Sequence, residues 1–379
     1  MVFVRHRIAL IASSFDPYAG GVEQHTRQVA ARLVQRGAAV EVWTVDRGEH
    51  LGVRHVDGIT VRYMPTPLPA ASLPNLAHFA AKILPSLRSW LSEFRRFHPD
   101  LLHVHCFGPN GVYATALSTV TRAPLVLSSH GETFMDARDV FERSRILRST
   151  LRASLERAAV VTAVSQSVVD DLSYRFGAKN VRVVANGVPE ETILERLSAP
   201  VQGVATVFCV GRLEHNKGFD LALRALAQLA APARMVVAGT GTAQHELHRL
   251  AHELGLARRV VFPGQLSADA VTKAMRRASV VVMPSRREAF GIVALEAWAA
   301  GVPLVATSLG GPRHFVTDGV DGILVDPTDV AALARAIDYL LANPEGARRM
   351  AQAGLERVRN FTWDSVVDQY ETIYDEVLA

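Results

Sequence analysis

SVVVMPSRREAFGIVALEAWAAGVPLVATS, residues 279–308, is the stretch on which the reading of the whole chain turns. It opens with a β-branched run ending at Pro284. A helix can begin near Phe290-Gly291 and stops at Gly301, with Pro303 just beyond, before a second run, PLVATS, takes over. Strand, helix and strand in so short a span make one parallel crossover unit. Two acids, Glu288 and Glu296, stand eight positions apart in apolar company. Even on one continuous helix that spacing separates Cα atoms by about 12 Å. A retaining hydrolase needs its carboxyl groups about 5 Å apart, so these acids are expected to contact different parts of one ligand, or different ligands. Between them lies a helix N-terminus with free amides and no side chain at Gly291, a place for a phosphate. The plainer reading is that Glu288 caps the helix and Glu296 faces solvent.

The same alternation runs from end to end. Strand candidates in the first half are RIALIAS, AVEVWTV, ITVRYMP, LLHVHC, PLVLSSH, AVVTAVS and VRVVANG; in the second, TVFCVGR, ARMVVAG, RVVFPG, SVVVMPS, PLVATS and GILVDP. Helical-period segments separate them, the pattern of parallel sheets with crossover helices. The polar segment 189–203 reads as a linker. The expectation is two doubly wound α/β domains, 1–188 and 204–360, with a C-terminal helix over 361–379 long enough to pack back across them. Ligands of such sheets bind beyond the carboxyl ends of the strands, at the topological switch point.

Several constellations stand at those ends. In VGRLEHNKGFD, residues 210–220, Arg212 projects from a strand end and Lys217-Gly218 opens the next helix, so two cations approach one crevice, as a diphosphate requires. The bland alternative is surface charge near a turn. Gly20 and Gly21 lie between the first strand and a helix, where backbone amides can approach a ligand. VVAGTGTAQ resembles a dinucleotide fingerprint but lacks its third glycine and its downstream acid, which argues against a nicotinamide enzyme. His130 ends PLVLSSH and could donate to a sugar hydroxyl or be merely structural. His103 and His105 share one strand face, but no third ligand has helpful spacing, so no metal site is expected. No Asp-x-Asp pair, nucleophile elbow or Gly-Lys-Ser phosphate loop occurs.

The bulk numbers agree with a globular two-domain protein: 379 residues, 49% hydrophobic and 21% charged. The net charge of +4 is uneven, with 22 Lys+Arg against 15 Asp+Glu in residues 1–185 and 19 against 22 thereafter. The basic half either faces something anionic or reflects an Arg-rich composition. Nucleic acid fits poorly, since no basic tract with interleaved aromatics is present. Cys106 and Cys209 sit in apolar runs far apart, which suits reduced thiols. The opening MVFVRHRIALIASSFD has only a short apolar run, and no stretch of 18 or more apolar residues occurs. A cytoplasmic protein is expected.

Taken together these residues resemble the retaining glycosyltransferases of family 4, also called group 1. The resemblance spans essentially the whole chain: the Gly-Gly loop, HGE at 130–132, NGV at 186–188, GRLEHNKG at 211–218, VVFPG at 260–264, the E-x7-E of 288–296, AGVPLVAT at 300–307 and GGP at 310–312. It implies the GT-B fold, two facing Rossmann-like domains with the donor site in the cleft between them. By the same resemblance Arg212 and Lys217 would bind the donor diphosphate, helped by amides at Ala289, Phe290, Gly291 and Ile292. Glu296 would accept from ribose hydroxyls, and Glu288 would bind the transferred sugar near its anomeric carbon. Gly21, beside Gly20, would lie under the diphosphate. Gly239 and the loop carrying Gly264, Gln265 and Leu266 would complete the nucleotide site, and His130 would contact the sugar from the other domain. His105, Glu132 and Asn186 fall on the acceptor side. No divalent metal and no cofactor is implied, in line with the missing Asp-x-Asp.

The implied reaction moves a hexose-type sugar from a nucleotide-sugar donor, UDP-sugar foremost, to a hydroxyl acceptor, with retention and by front-face attack. Two other readings stay open: a nucleotide-sugar epimerase or hydrolase of the same fold, and a binding protein without turnover. The acceptor is open too, from natural-product aglycone to inositol derivative or small sugar. Residues 74–98 form a basic, apolar helical stretch broken near Pro85, readable as a peripheral contact with an anionic membrane or as a core helix with a solvated Arg face.

Overall fold

The computed structural model describes residues 6–18, 20–68, 73–135, 140–195, 197 and 203–379. The chain divides into two compact units, one of residues 1–185 and 363–379 and the other of residues 186–362. Both are parallel α/β sheets, as the alternating pattern requires.

In the first unit β1 (Arg7–Ala12), β2 (Ala39–Val45), β3 (Val53–Val56), β4 (Ile59–Met64), β5 (Leu101–His105), β6 (Leu125–Ser129), β7 (Val160–Ala163) and β8 (Arg182–Val183) are ordered β3-β4-β2-β1-β5-β6-β7-β8. Ile8 to Ala12 are fully buried, because helices cover both faces of a parallel sheet and leave a central strand no polar side. β3 alone runs antiparallel, Val56 pairing with Ile59 across Asp57-Gly58, both at positive φ (52° and 78°). That is the signature of a two-residue hairpin turn, and HVDGIT carries it, although no strand is expected there from apolar runs. The order reverses between β1 and β5, which places the first unit's switch point between the Gly20-Gly21 loop and His105.

In the second unit β9 (Ala205–Val210), β10 (Ala233–Ala238), β11 (Val260–Gly264), β12 (Val280–Met283), β13 (Leu304–Thr307) and β14 (Ile323–Val325) are ordered β11-β10-β9-β12-β13-β14. The opening stretch is the crossover from β12 to β13, with its helix over Ile292–Ala299. The switch point lies between β9 and β12, which pair directly through Val207–Val280 and Phe208–Val281.

Three boundaries differ from expectation. The segment expected to be a linker belongs to the second unit: Leu194 N donates to Ala299 O at 3.0 Å and Arg276 donates to Thr192 O at 3.3 Å. Its residues 196 and 198–202 lie outside the described residues, as do residues 1–5 of the opening segment. The C-terminal helix, Trp363–Leu378, belongs wholly to the first unit. The helix over Leu73–Phe97 continues through Pro85 where a break was expected, with Trp90 and Phe97 in the core and Leu84 exposed. Among the described residues no helix is long and apolar enough to cross a membrane.

The C-terminal helix is held by two kinds of contact. On its rim Arg36 donates to Asp364 at 3.0 Å, Asp368 at 2.5 Å and Glu371 at 2.8 Å, while Arg32 reaches Asp364 at 3.1 Å. Underneath, Tyr374 Oη lies 2.6 Å from His103 Nδ1, and His103 Nε2 lies 2.7 Å from Ser128 Oγ. Tyr370 Oη reaches the same serine at 3.2 Å. Exposed ion pairs contribute little; the buried set is costly to break, because an orphaned donor keeps its desolvation penalty. Tyr374→Phe should therefore lower stability by about 1–3 kcal/mol in urea unfolding. Tyr339→Phe, at a tyrosine 53% exposed, should change it by less than about 0.5 kcal/mol; equal effects would refute the buried network as the anchor.

Candidate active site

The crevice between β9 and β12 gathers most of the expected residues. Past the end of β9, Arg212 is exposed, and no hydrogen bond or ion pair holds its guanidinium among the described residues. The chain then makes a short turn over His215–Lys217 and reaches Gly218 at φ 68°. A Cβ at Gly218 would stand 2.0 Å from the carbonyl oxygen of Pro284, so only glycine lets this turn pass so close to the β12 end. The approach brings Lys217 Nζ to 2.6 Å from Glu288 Oε2, which also accepts from Ser285 Oγ at 3.0 Å. Glu288 is 7% exposed. A carboxylate so buried has exchanged hydration for these two partners, and losing either would leave its oxygen unsatisfied.

A second pair clamps the same two loops. Arg286 forks onto Asp220, two bonds of 2.7 Å, and donates to His215 O at 3.0 Å. Burial pushes the Asp220 carboxyl up, but the hydrogen bonds and charge of Arg286 outweigh it and leave it below its ordinary range. Nothing in the local sequence announces this pair, whose members stand 66 positions apart.

Beyond Glu288 the backbone is fixed by the GGP segment: Gly311 N donates to Glu288 O at 2.9 Å. Ala289 and Phe290 bury their side chains, Phe290 stacking on Phe315 with ring centres 4.7 Å apart, so they present only backbone. The helix starts at Ile292 with Gly291 as its N-cap and no side chain closing its amides. Glu288 therefore does not cap the helix. Glu296, one turn further, is half-buried rather than solvated, and burial raises its carboxyl to about 7.

The neighbouring strand ends close the crevice. A Cβ at Gly239 would lie 1.9 Å from Gly211 O, and one at Gly241 2.4 Å from Leu213 O. The GTG glycines thus make room for the Arg212 loop, which explains them without a dinucleotide. Gly239 N donates to Gly264 O at 2.8 Å, bringing the exposed Gln265 and the half-buried Leu266 alongside.

The first unit holds the rest, and here expectations change. Gly20 precedes the helix Gly21–Gln35, and the Glu23 carboxylate lies over it, 2.6 Å from where a Cβ would be, while Gly21 faces open space. His105 is fully buried, so it cannot be an acceptor contact. Glu132 cannot be one either. Its two oxygens accept from Phe107 N at 2.9 Å, His130 N at 2.7 Å and Ser129 Oγ at 3.0 Å, so it shapes the loop that carries His130. His130 itself is half-buried, with Nε2 3.3 Å from His105 Nδ1. Burial, reinforced by neighbouring His25 and His103, pushes its imidazole well below the ordinary range and keeps it neutral. Asn186 falls in the second unit, as its first residue. Sequence spacing offers no third ligand to the HxH strand, yet His25 and His130 both gather at His105, brought there by the sheet.

The chain is similar to known glycosyltransferases over both units. Residues 19–192 match the family model described as Glycosyltransferase Family 4, and residues 194–357 that described as Glycosyl transferases group 1. A D-inositol 3-phosphate glycosyltransferase of Acidothermus cellulolyticus is 31% identical, covering 98% of this chain and 91% of its own. A glycogen synthase of Mycobacterium tuberculosis is 29% identical, over 97% and 94%. Among solved structures, a sucrose-phosphate synthase from Thermosynechococcus elongatus superposes with a TM-score of 0.81 at 25% identity, covering 98% of this chain and 99% of its own. Anabaena HepE in complex with UDP-glucose gives 0.75 at 22%, over 98% and 100%.

Glu296 supplies a pH test that needs no substrate. Its folded pKa, about 7, lies above the ordinary value of 4.5, so the folded state holds the extra proton between those limits. Stability conferred by that carboxyl is present at low pH and is lost as pH rises towards 7. Glu296→Gln should therefore gain in melting temperature over the parent as pH goes from 5 to 8; a difference independent of pH would show that the carboxyl is not so held.

Proposed function

The chain belongs to the group 1 glycosyltransferases, and from that premise we propose that it transfers a hexose-type sugar from a nucleotide diphosphate donor, UDP-sugar foremost, to an acceptor hydroxyl with retention and without a metal. The observation that carries this is the Lys217–Glu288 pair, 2.6 Å apart beside the uncapped helix start at Gly291, with Arg212 exposed at the same strand end. Two cations and a row of free amides suit a diphosphate, and the buried acid beside them suits the hydroxyls of the attached sugar. HepE and its bound UDP-glucose support UDP as the donor nucleotide. The relatives diverge on the acceptor, one named for an inositol phosphate and another for glycogen, both of which offer hydroxyls.

In the reaction, the bond from the anomeric carbon to the diphosphate oxygen breaks and its electron pair goes to that oxygen. Arg212, Lys217 and the amides of Gly291 and Ile292 stabilise the developing charge. The acceptor oxygen bonds to the anomeric carbon on the same face, and its proton passes to the departing phosphate oxygen. Glu288 Oε2 is occupied by Lys217 and Ser285, which leaves Oε1 to accept from a sugar hydroxyl. Glu296 accepts from the ribose hydroxyls. His130, neutral and at a strand end of the first unit, is assigned a sugar hydroxyl. Cys106 and Cys209, neither in a disulfide, suit a cytoplasmic setting.

Two substitutions divide the roles. Glu288→Ala should lower kcat by about 100-fold with little change in KM, since its contact lies at the reacting end of the donor. Glu296→Ala should raise KM for the donor by about tenfold with kcat nearly intact. Donor hydrolysis and transfer, followed by mass spectrometry across a panel of sugar nucleotides with EDTA present, provide the readout. Identical effects of the two substitutions, or activity that vanishes with EDTA, would overturn the assignment.

A further inference from the structure

We propose that His25, His105 and His130 form a binding site for one divalent d-block cation of the zinc class, contained in the first unit. The three come from different elements: His25 from the helix Gly21–Gln35, His105 from the last position of β5, and His130 from the turn after β6. Each offers a ring nitrogen, and these nitrogens all lie within 4.8 Å of one another.

The cluster is wider than a closed coordination sphere, with one nitrogen pair already at the required distance. Imidazoles sharing a tetrahedral ion with bonds of about 2.0–2.1 Å have their nitrogens about 3.4 Å apart and their ring centres about 5 Å apart. Here His105 Nδ1 and His130 Nε2 are 3.3 Å apart. The ring centres of His25–His130, His25–His105 and His105–His130 are separated by 4.6, 5.1 and 5.6 Å. Small rotations of the rings would close the set.

A second observation points the same way. His105 is fully buried, and its Nε2 has no hydrogen-bond partner among the described residues. Neighbouring His103, by contrast, is satisfied at both nitrogens by Tyr374 and Ser128. Buried polar atoms are rarely left unsatisfied without a reason, and a turn of the ring that brings this nitrogen, in place of the Nδ1 now against His130, onto an ion would satisfy it. The surroundings are already braced: Tyr370 Oη lies 3.2 Å from His25 Nε2, and Glu132 fixes the backbone of His130. Three imidazoles with no carboxylate select Zn2+, Co2+, Ni2+ or Cu2+ over Mg2+ or Ca2+. The half-buried His130 leaves a fourth position for water.

The ion would take the imidazole that the proposed transfer reaction assigns to the sugar, but metal binding is measured alone, so the two assignments stand or fall separately. The test is Co2+ titration of the full, tag-free chain, followed through the visible bands of four-coordinate Co2+, with Zn2+ as competitor. One equivalent should bind and be displaced by Zn2+. His25→Gln and His105→Gln should each weaken binding at least about 30-fold, since losing even an outer partner of a metal site costs 10–100-fold. His248→Ala should leave binding unchanged. His248 and His252 are exposed four residues apart on the helix Gln244–Glu253, the place for adventitious chelation. Melting curves without metal identify a variant that fails to fold, in which case the other decides. Absence of saturable binding at one equivalent, wild-type affinity in a folded His25→Gln or His105→Gln, or loss of binding in His248→Ala would overturn the site.

Discussion

A lysine ammonium held 2.6 Å from a carboxylate that is 7% exposed is an arrangement that the fold has to impose. Left to itself the pair would be better hydrated, and removing either partner would strand a buried charge. The second unit imposes it by backbone fit: the Gly218 turn passes over Pro284, Gly239 passes under Gly211, and the Gly311 amide ties down the Glu288 carbonyl. The Arg286–Asp220 fork locks the same loops from outside. The consequence is a preorganised crevice at the β9/β12 switch point, its cations, acid and open amides in place before any ligand arrives. Preorganised charge of this kind needs little rearrangement when charge develops on a ligand beside it.

Much of the fold could be read from local pattern. Parallel strands buried on both faces leave continuous β-branched runs, and each of the thirteen such runs in the sequence is a strand in the structure. β3 escaped because it is short and exposed at an edge, with no apolar run to mark it, although its Asp57-Gly58 turn was in plain view. Domain limits escaped for a different reason. A polar stretch with Pro and Gly reads as a linker, yet the hydrogen bond from Leu194 to Ala299 fastens it to one unit. No residue near 194 announces that contact.

The site divides along the same line. Arg212, Lys217, Glu288 and Gly291 were legible because each sits at a strand end or helix start, where chemistry and local sequence coincide. Ser285 and the Asp220–Arg286 fork were not singled out: as types they are ordinary, and only the folded sheet brings Asp220 against Arg286. For His105 and Glu132, position at a strand end does not amount to access. The structure buries the imidazole and spends the carboxylate on backbone amides. The three-histidine cluster is the clearest case, since its members are separated by 80 positions and 25 positions and no spacing rule unites them.

The central claim is that the diphosphate of a sugar nucleotide binds where the Lys217–Glu288 pair meets the helix start at Gly291. A crystal structure of the chain with UDP tests it most directly. The account predicts the β-phosphate within hydrogen-bond distance of Lys217, Arg212 and the amides of Gly291 or Ile292, with a ribose hydroxyl on Glu296. Nucleotide bound instead at the Gly20-Gly21 loop, or at the β9/β12 crevice with Glu296 away from the ribose, would contradict it.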